Sequence, residues 1–100
     1  MEIFVIVEMF KGMKVPKIRG VYQNEMRANI VKKDYQFAFI DKQQLIQTQE
    51  EKINKKVFVV MELLKLNVPR IIGVFKDNKL AKEIAISRKY KTQVIEQIMI

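Results

Sequence analysis

Glu8 and Glu62 are the two residues of this sequence best placed to do acid–base or metal chemistry. Each lies near the C-terminal end of an apolar run, Ile3–Phe10 and Val57–Leu64, at the same place in each run. Brought together, two such carboxylates would share a proton or hold Mg²⁺. The competing reading, and the one favoured here, pairs each with a nearby base: Lys11, Arg19, Lys65 or Arg70. The rest of the chain offers chemistry little help. There is no Cys and no His, which removes thiol nucleophiles, imidazole bases, disulfides and the usual transition-metal sites. The only Ser is Ser87, and the Thr are Thr48 and Thr92. Gly12, Gly20 and Gly73 do not fall into the spacing of a phosphate-binding loop. The expectation is a protein with no catalytic residue, no metal and no cofactor.

A second constellation points to binding. At about 100° per residue, Lys79, Lys82, Ile86 and Lys89 fall on one face of a helix, opposite Leu80 and Ile84. The chain carries 19 basic and 11 acidic residues, for a net charge of +8. The surplus is uneven: residues 1–53 carry +2 (nine basic, seven acidic) and residues 54–100 carry +6 (ten basic, four acidic). Such a surplus suits an acidic protein partner or nucleic acid. It is equally the composition of a solvated Lys-rich surface. No helix-turn-helix or RNP-like pattern is present, and few aromatics stand outside the apolar runs to stack bases.

The elements that hold these residues come in two copies. Ile3–Lys11 aligns with Val57–Lys65. With Gly12 skipped, the alignment continues so that Val15-Pro16-Lys17-Ile18-Arg19-Gly20-Val21-Tyr22 falls on Val68-Pro69-Arg70-Ile71-Ile72-Gly73-Val74-Phe75 and Ala28 falls on Ala81. Ten of 25 aligned pairs are identical, where chance gives about one or two. Further on, Tyr35 is matched to Tyr90, Ile40 to Ile95 and Asp41 to Glu96. A repeat of this length is one supersecondary unit used twice.

Each unit reads as strand, strand, helix, strand. The first strands, Ile3–Phe10 and Val57–Leu64, are apolar on both faces except for one Glu, as a strand covered on both sides must be. The second strands, Lys17–Tyr22 and Arg70–Phe75, carry Gly20 and Gly73, which mark a bulge or a close backbone approach. Asn24 and Asp77 are N-caps for helices over Glu25 to about Lys33 and Asn78 to about Tyr90. The third strands are Gln36–Lys42 and Thr92–Ile100. A first unit over residues 1–42 and a second over 57–100 are joined by a linker at 43–56, and together they make one domain. Within each unit the order 2-1-3 is expected, with the second and third strands parallel. The fold expected is α+β: tandem duplicated ββαβ units with about six strands and two helices, related by a pseudo-two-fold in a compact single domain. Helices on one face leave the other apolar face to be covered, either by the second unit or by another copy of the chain. A homodimer is the favoured expectation.

The stretch Ile72-Gly73-Val74-Phe75-Lys76-Asp77-Asn78-Lys79-Leu80-Ala81 resembles a pattern in small uncharacterised proteins of bacteria and phages. In these a strand ends in Gly-Val-Phe, a Ser or Asp caps a helix, and an Ala follows four residues later. Gly20-Val21-Tyr22-Gln23-Asn24 through Ala28 is a weaker copy. The resemblance implies a fold and carries no catalytic residue.

The outer helix faces have diverged over a common core. Met26 and Ile30 stand where the second unit has Lys79 and Glu83, and Lys33 stands where it has Ile86. Met26 and Ile30 are therefore assigned to a protein contact, and Lys79, Lys82, Ile86 and Lys89 to an acidic partner. Fifteen Lys against four Arg, and fourteen Ile against five Leu, are the usage of an AT-rich genome. The functional expectation is a small cytoplasmic, non-enzymatic protein of phage or mobile-element origin that inhibits or modulates a host or defence protein. The alternative is a basic nucleic-acid-binding regulator. No membrane association is expected, since no apolar run approaches a span.

Overall fold

Ile3, Val5 and Val7 point to one side of the first strand and Phe4 and Ile6 to the other, and all five are buried. The computed structural model describes residues 1–10, 15–47 and 55–100. Within them lie six strands and two α-helices, an α+β domain: β1 (Glu2–Glu8), β2 (Lys17–Tyr22), α1 (Glu25–Lys32), β3 (Ala38–Ile46), β4 (Lys56–Leu63), β5 (Pro69–Phe75), α2 (Asn78–Ser87) and β6 (Lys91–Ile98). The strands form one sheet in the order β2-β1-β3-β5-β4-β6. The most apolar strands, β1 and β4, are each flanked on both sides, as their unbroken apolar runs require. All ladders within β2-β1-β3 and β5-β4-β6 are antiparallel, while β3 and β5 run parallel over two residue pairs, Leu45 with Val74 and Ile46 with Phe75. The order 2-1-3 thus occurs in both halves, with the second and third strands of each pointing the same way.

The sheet curls until its edge strands touch. Val21 of β2 forms a parallel bridge with Met99, just beyond β6. The Ile100 N–H donates to the Val21 carbonyl at 2.9 Å, and the Gln23 N–H to the Ile100 carbonyl at 2.9 Å. Curling places the inward side chains of both halves in one core: Ile3, Val5, Val7, Val57, Val59 and Met61, joined by Val21, Ile71, Val74 and Met99. The outward face is divided. Phe4, Ile6, Tyr22 and Ala28 pack under α1, and Phe58, Val60, Phe75 and Ala81 pack under α2. The second apolar face of β1 and β4 is therefore covered within a single chain. That face does not call for a second copy of the chain, contrary to the expected homodimer.

Both helices start where the caps predict. The Asn24 carboxamide oxygen accepts from the Arg27 N–H at 3.0 Å, and the Asp77 carboxylate accepts from the Lys79 N–H at 2.9 Å. Each satisfies an amide that the first turn leaves without a partner. Both glycines sit next to a bulge. The register of β1 on β2 passes from Ile6–Gly20 to Val7–Ile18, and that of β4 on β5 from Val60–Gly73 to Met61–Ile71. Arg19 and Ile72 are the extra residues.

Several element ends shift by one or two residues from the sequence expectation, and two shifts and one register change matter for the site. β3 runs to Ile46, four residues into the segment read as linker; the rest of that segment, 48–54, lies outside the described residues. α2 ends at Ser87 rather than near Tyr90. The third-strand match is also off by one. Ile40 lies opposite Ile6 while Val94, not Ile95, lies opposite Val60. A one-residue slip reverses the face of every side chain. Ile40 accordingly packs on the α1 side, whereas Ile95 packs against the shared core.

Candidate functional site

Glu8 and Glu62 close the outward faces of β1 and β4. Alternation from Phe4 and Ile6, and from Phe58 and Val60, carries both carboxylates to the helix side. They are the two buried charged residues among those described, 7% and 1% exposed. They do not meet. β1 and β4 are three strand steps apart in the sheet order, or about 14 Å at ~4.8 Å per step, and each lies in the territory of a different helix. The paired-carboxylate arrangement is therefore not formed.

Each carboxylate has its own arginine, reached by a different route. Glu8 Oε1 accepts from Arg19 Nε at 2.7 Å and lies 2.6 Å from Arg19 Nη2. Arg19 is the bulge residue of β2, and a bulge re-aims the side chain it carries. Its guanidinium also lies 5.0 Å from the centre of the Tyr35 ring. In the second half the bulge residue is Ile72, which packs under α2. Glu62 is served from the helix instead: Arg88 Nε donates to Oε2 at 3.0 Å and Nη2 to Oε1 at 3.3 Å. The Arg88 guanidinium holds the Glu62 carboxyl below the usual carboxylate range against the opposing effect of burial. The charge of Arg70 and a hydrogen bond from the Tyr90 backbone act in the same direction. The same pair raises Arg88. Arg19 was among the bases expected to pair. Arg88 is not among them: it lies 26 residues from Glu62 and inside the span expected to be helix, so no local pattern signals it. Lys11 lies outside the described residues.

The six residues assigned to partner binding are exposed, and they form two patches. Met26 (74% exposed) and Ile30 (59%) sit one turn apart on the outer face of α1. Lys79, Lys82 and Ile86 (85%) lie on the outer face of α2. Lys89 does not belong to that stripe. The Ser87 hydroxyl donates to the Ile84 carbonyl at 2.6 Å and the Arg88 N–H to the Ala85 carbonyl at 3.2 Å. Arg88 then turns to extended backbone to reach Glu62. Lys89 follows in the loop, its Nζ 5.9 Å from the centre of the Tyr90 ring.

One further feature escaped the sequence reading. Leu66, at the tip of the β4–β5 connection, adopts φ 62°, ψ 27° and is 92% exposed. The left-handed region disfavours a Leu, and nothing in its type announces it. No helix among the described residues is long and apolar enough to cross a membrane. Comparisons with protein-family models, with curated proteins and with solved structures give no match to this chain.

Proposed function

We propose that this chain is a small non-enzymatic binding protein that acts by protein–protein contact, as an inhibitor or modulator of a host or defence protein. The observation that carries the proposal is the exposure of Met26, Ile30 and Ile86 on helix faces that the fold does not use. The inner face of each helix already has its anchor in Ala28 or Ala81, so these outer apolar side chains contribute nothing to the core. The separate arginine partners of Glu8 and Glu62 support the reading, since the two carboxylates do not converge on one site.

Under this proposal the chain is a tandem duplication of one ββαβ unit, with a pseudo-two-fold relating the halves. The matched strand orders and the matched bulges before Gly20 and Gly73 support it. Duplication then explains how one scaffold presents an apolar patch on α1 and a basic patch on α2. A cytoplasmic setting and a phage or mobile-element origin complete the proposal, resting on the Cys-free, Lys- and Ile-rich composition. The net charge of +8 favours a second reading, a nucleic-acid-binding regulator. Affinity capture from a bacterial lysate with and without nuclease, followed by mass spectrometry, separates the two. Retention of a discrete protein after nuclease treatment supports the proposal. Loss of all captured protein on nuclease treatment supports the alternative.

A further inference from the structure

The two places where the halves of the sheet meet are not closed alike. Among the described residues β3 and β5 pair through Leu45–Val74 and Ile46–Phe75. Above them the inward positions of β3 are polar, and the Gln43 amide donates to the Asp41 carboxylate at 2.9 Å. Among the described residues the main chains of β2 and β6 are joined just past the end of β6, at the Val21–Met99 bridge and the Ile100 hydrogen bonds. Above that bridge they enclose a groove of about 320 Å³ lined by Val15, Pro16, Lys17, Ile18, Arg19, Gln93 and Ile95. Ile95 stands here where the other seam has Asp41, each one residue beyond the position opposite Val60 or Ile6. The floor of this seam is thus apolar, with Val15, Ile18 and Ile95 packed on the shared core.

The main chain beside the groove has hydrogen-bonding groups to give. The Met99 N–H points to β4, donating to the Lys55 carbonyl at 2.6 Å, and the Ile100 N–H points to β2. Peptide groups alternate direction along a strand. Odd-numbered residues of β6 therefore pair with β4, and Thr92, Val94, Glu96 and Ile98 turn their N–H and C=O groups toward β2. β6 has no ladder with β2 among the described residues. Such an edge is a template for another strand. Among the described residues the groove lining has two bases and no acid, and the Glu96 carboxylate on β6 faces Lys56 at 3.8 Å. Arg19 is committed to Glu8, but Lys17 is exposed, and so is Lys91 at the start of β6.

We infer that the seam between β2 and β6 receives an extended acidic segment of a partner protein, which adds to the edge of β6 as a strand. Main-chain hydrogen bonds to Val94 and Glu96 supply affinity, and alternate side chains supply selectivity. Apolar side chains of the segment turn to Ile18 and Ile95, acidic ones on its other face lie beside Lys17, and an acidic residue at its end meets Lys91 at the start of β6. The inference rests on the chain being a protein-binding module but uses neither helix face.

The test is selection of a random-peptide library against the whole protein, followed by titration of enriched peptides into isotope-labelled protein with amide exchange as the readout. Enriched peptides alternate apolar and acidic residues, and they slow exchange at Val94 and Glu96 while Gln93 and Ile95, already paired to β4, change little. Lys17→Glu with Lys91→Glu, two exposed positions that leave the core intact, weakens binding roughly tenfold. Glu96→Pro, which removes one edge donor, does likewise, as loss of one hydrogen bond with its acceptor left unpaired predicts. Peptides that protect α1 or α2 instead, equal binding by the charge-reversed protein, or the same protection produced by a single-stranded oligonucleotide would each overturn the inference. A failure here with lysate capture intact removes the seam and leaves the proposed function standing.

Discussion

Arg88 clasps Glu62 with two N–H groups, Nε to Oε2 at 3.0 Å and Nη2 to Oε1 at 3.3 Å, and in doing so ties the end of α2 to the middle strand of its half-sheet. The geometry matches the planar fork of a guanidinium to a carboxylate. The two partners are not equally replaceable. Removing Arg88 leaves a buried carboxylate short of its main donor, whereas removing the charge of Glu62 leaves an arginine that can turn to water. Arg88→Ala should therefore lower the urea midpoint more than Glu62→Gln. Equal midpoints for the two variants would overturn this asymmetry, and midpoints equal to that of the parent chain would show that the pair is structurally idle.

Acid should expose the same pair. Glu62 has its folded pKa lowered by Arg88. The stability it contributes is present above the ordinary carboxylate value of about 4.3 and is lost as pH falls through the lower folded value. Below that, both states bind the proton and the contribution vanishes. Thermal unfolding followed from neutral pH to the acid limb should show this loss, and Glu62→Gln should flatten that part of the curve.

Gly20 and Gly73 hold aromatic rings against bare backbone. A Cβ at Gly20 would come within 2.6 Å of Tyr22 Cε2, and one at Gly73 within 2.9 Å of Phe75 Cε2. Both rings are buried and have little room to retreat. Gly20→Ala and Gly73→Ala should each cost about 1–3 kcal/mol by overpacking. Trimming the opposing ring in the same chain, as in Gly20→Ala with Tyr22→Leu, should show non-additivity in a double-mutant cycle. Simple addition of the two penalties would argue against the clash.

Leu66 should respond in the opposite sense. Its left-handed backbone suits Asn or Gly better than Leu, and its side chain is almost wholly in water. Leu66→Asn is expected to raise stability by about 1 kcal/mol. A fall in the denaturation midpoint would mean that the Leu side chain holds the loop through contacts this conformation does not display.

The helix faces make the functional prediction. Changing Lys79 and Lys82 on α2, with Lys89 in the loop that follows it, together to Glu should alter stability by no more than about 0.5 kcal/mol while weakening partner capture steeply at low salt. Met26→Ser with Ile30→Ser should weaken capture with little dependence on salt. Capture by both variants at the level of the parent chain would return these faces to ordinary solvated surface.

The legible parts of this molecule were those set by short-range rules. The caps at Asn24 and Asp77, the bounds of β2, and the glycines beside their bulges follow from residue type and immediate neighbours. So did the exposure of Met26, Ile30 and Ile86, which helical spacing alone assigns. The misses came from long-range demands. The expected β3 stops at Lys42 because Gln43 and Gln44 look like linker. Their polarity reflects an inward face near an open seam, not the absence of a strand. The helical pattern runs on through Arg88, but α2 ends at Ser87 because Glu62 draws the Arg88 side chain away. The off-by-one match of Ile40 came from aligning similar residues where only the ladder fixes the register.

The seams also bear on the order in which the chain assembles. Every antiparallel ladder closes either within residues 2–46 or within residues 56–98. Each half-sheet can thus form from contacts close in sequence, at a modest cost of loop closure. The inward core belongs to neither half alone and comes into being only when the two half-sheets curl onto each other. In the native state the reverse holds: two residue pairs on one side and a single bridge on the other are the cheapest hydrogen bonds to break. Transient opening therefore parts the molecule along these lines first, exposing Val59 and Met61 to water while the ladders on either side stay whole.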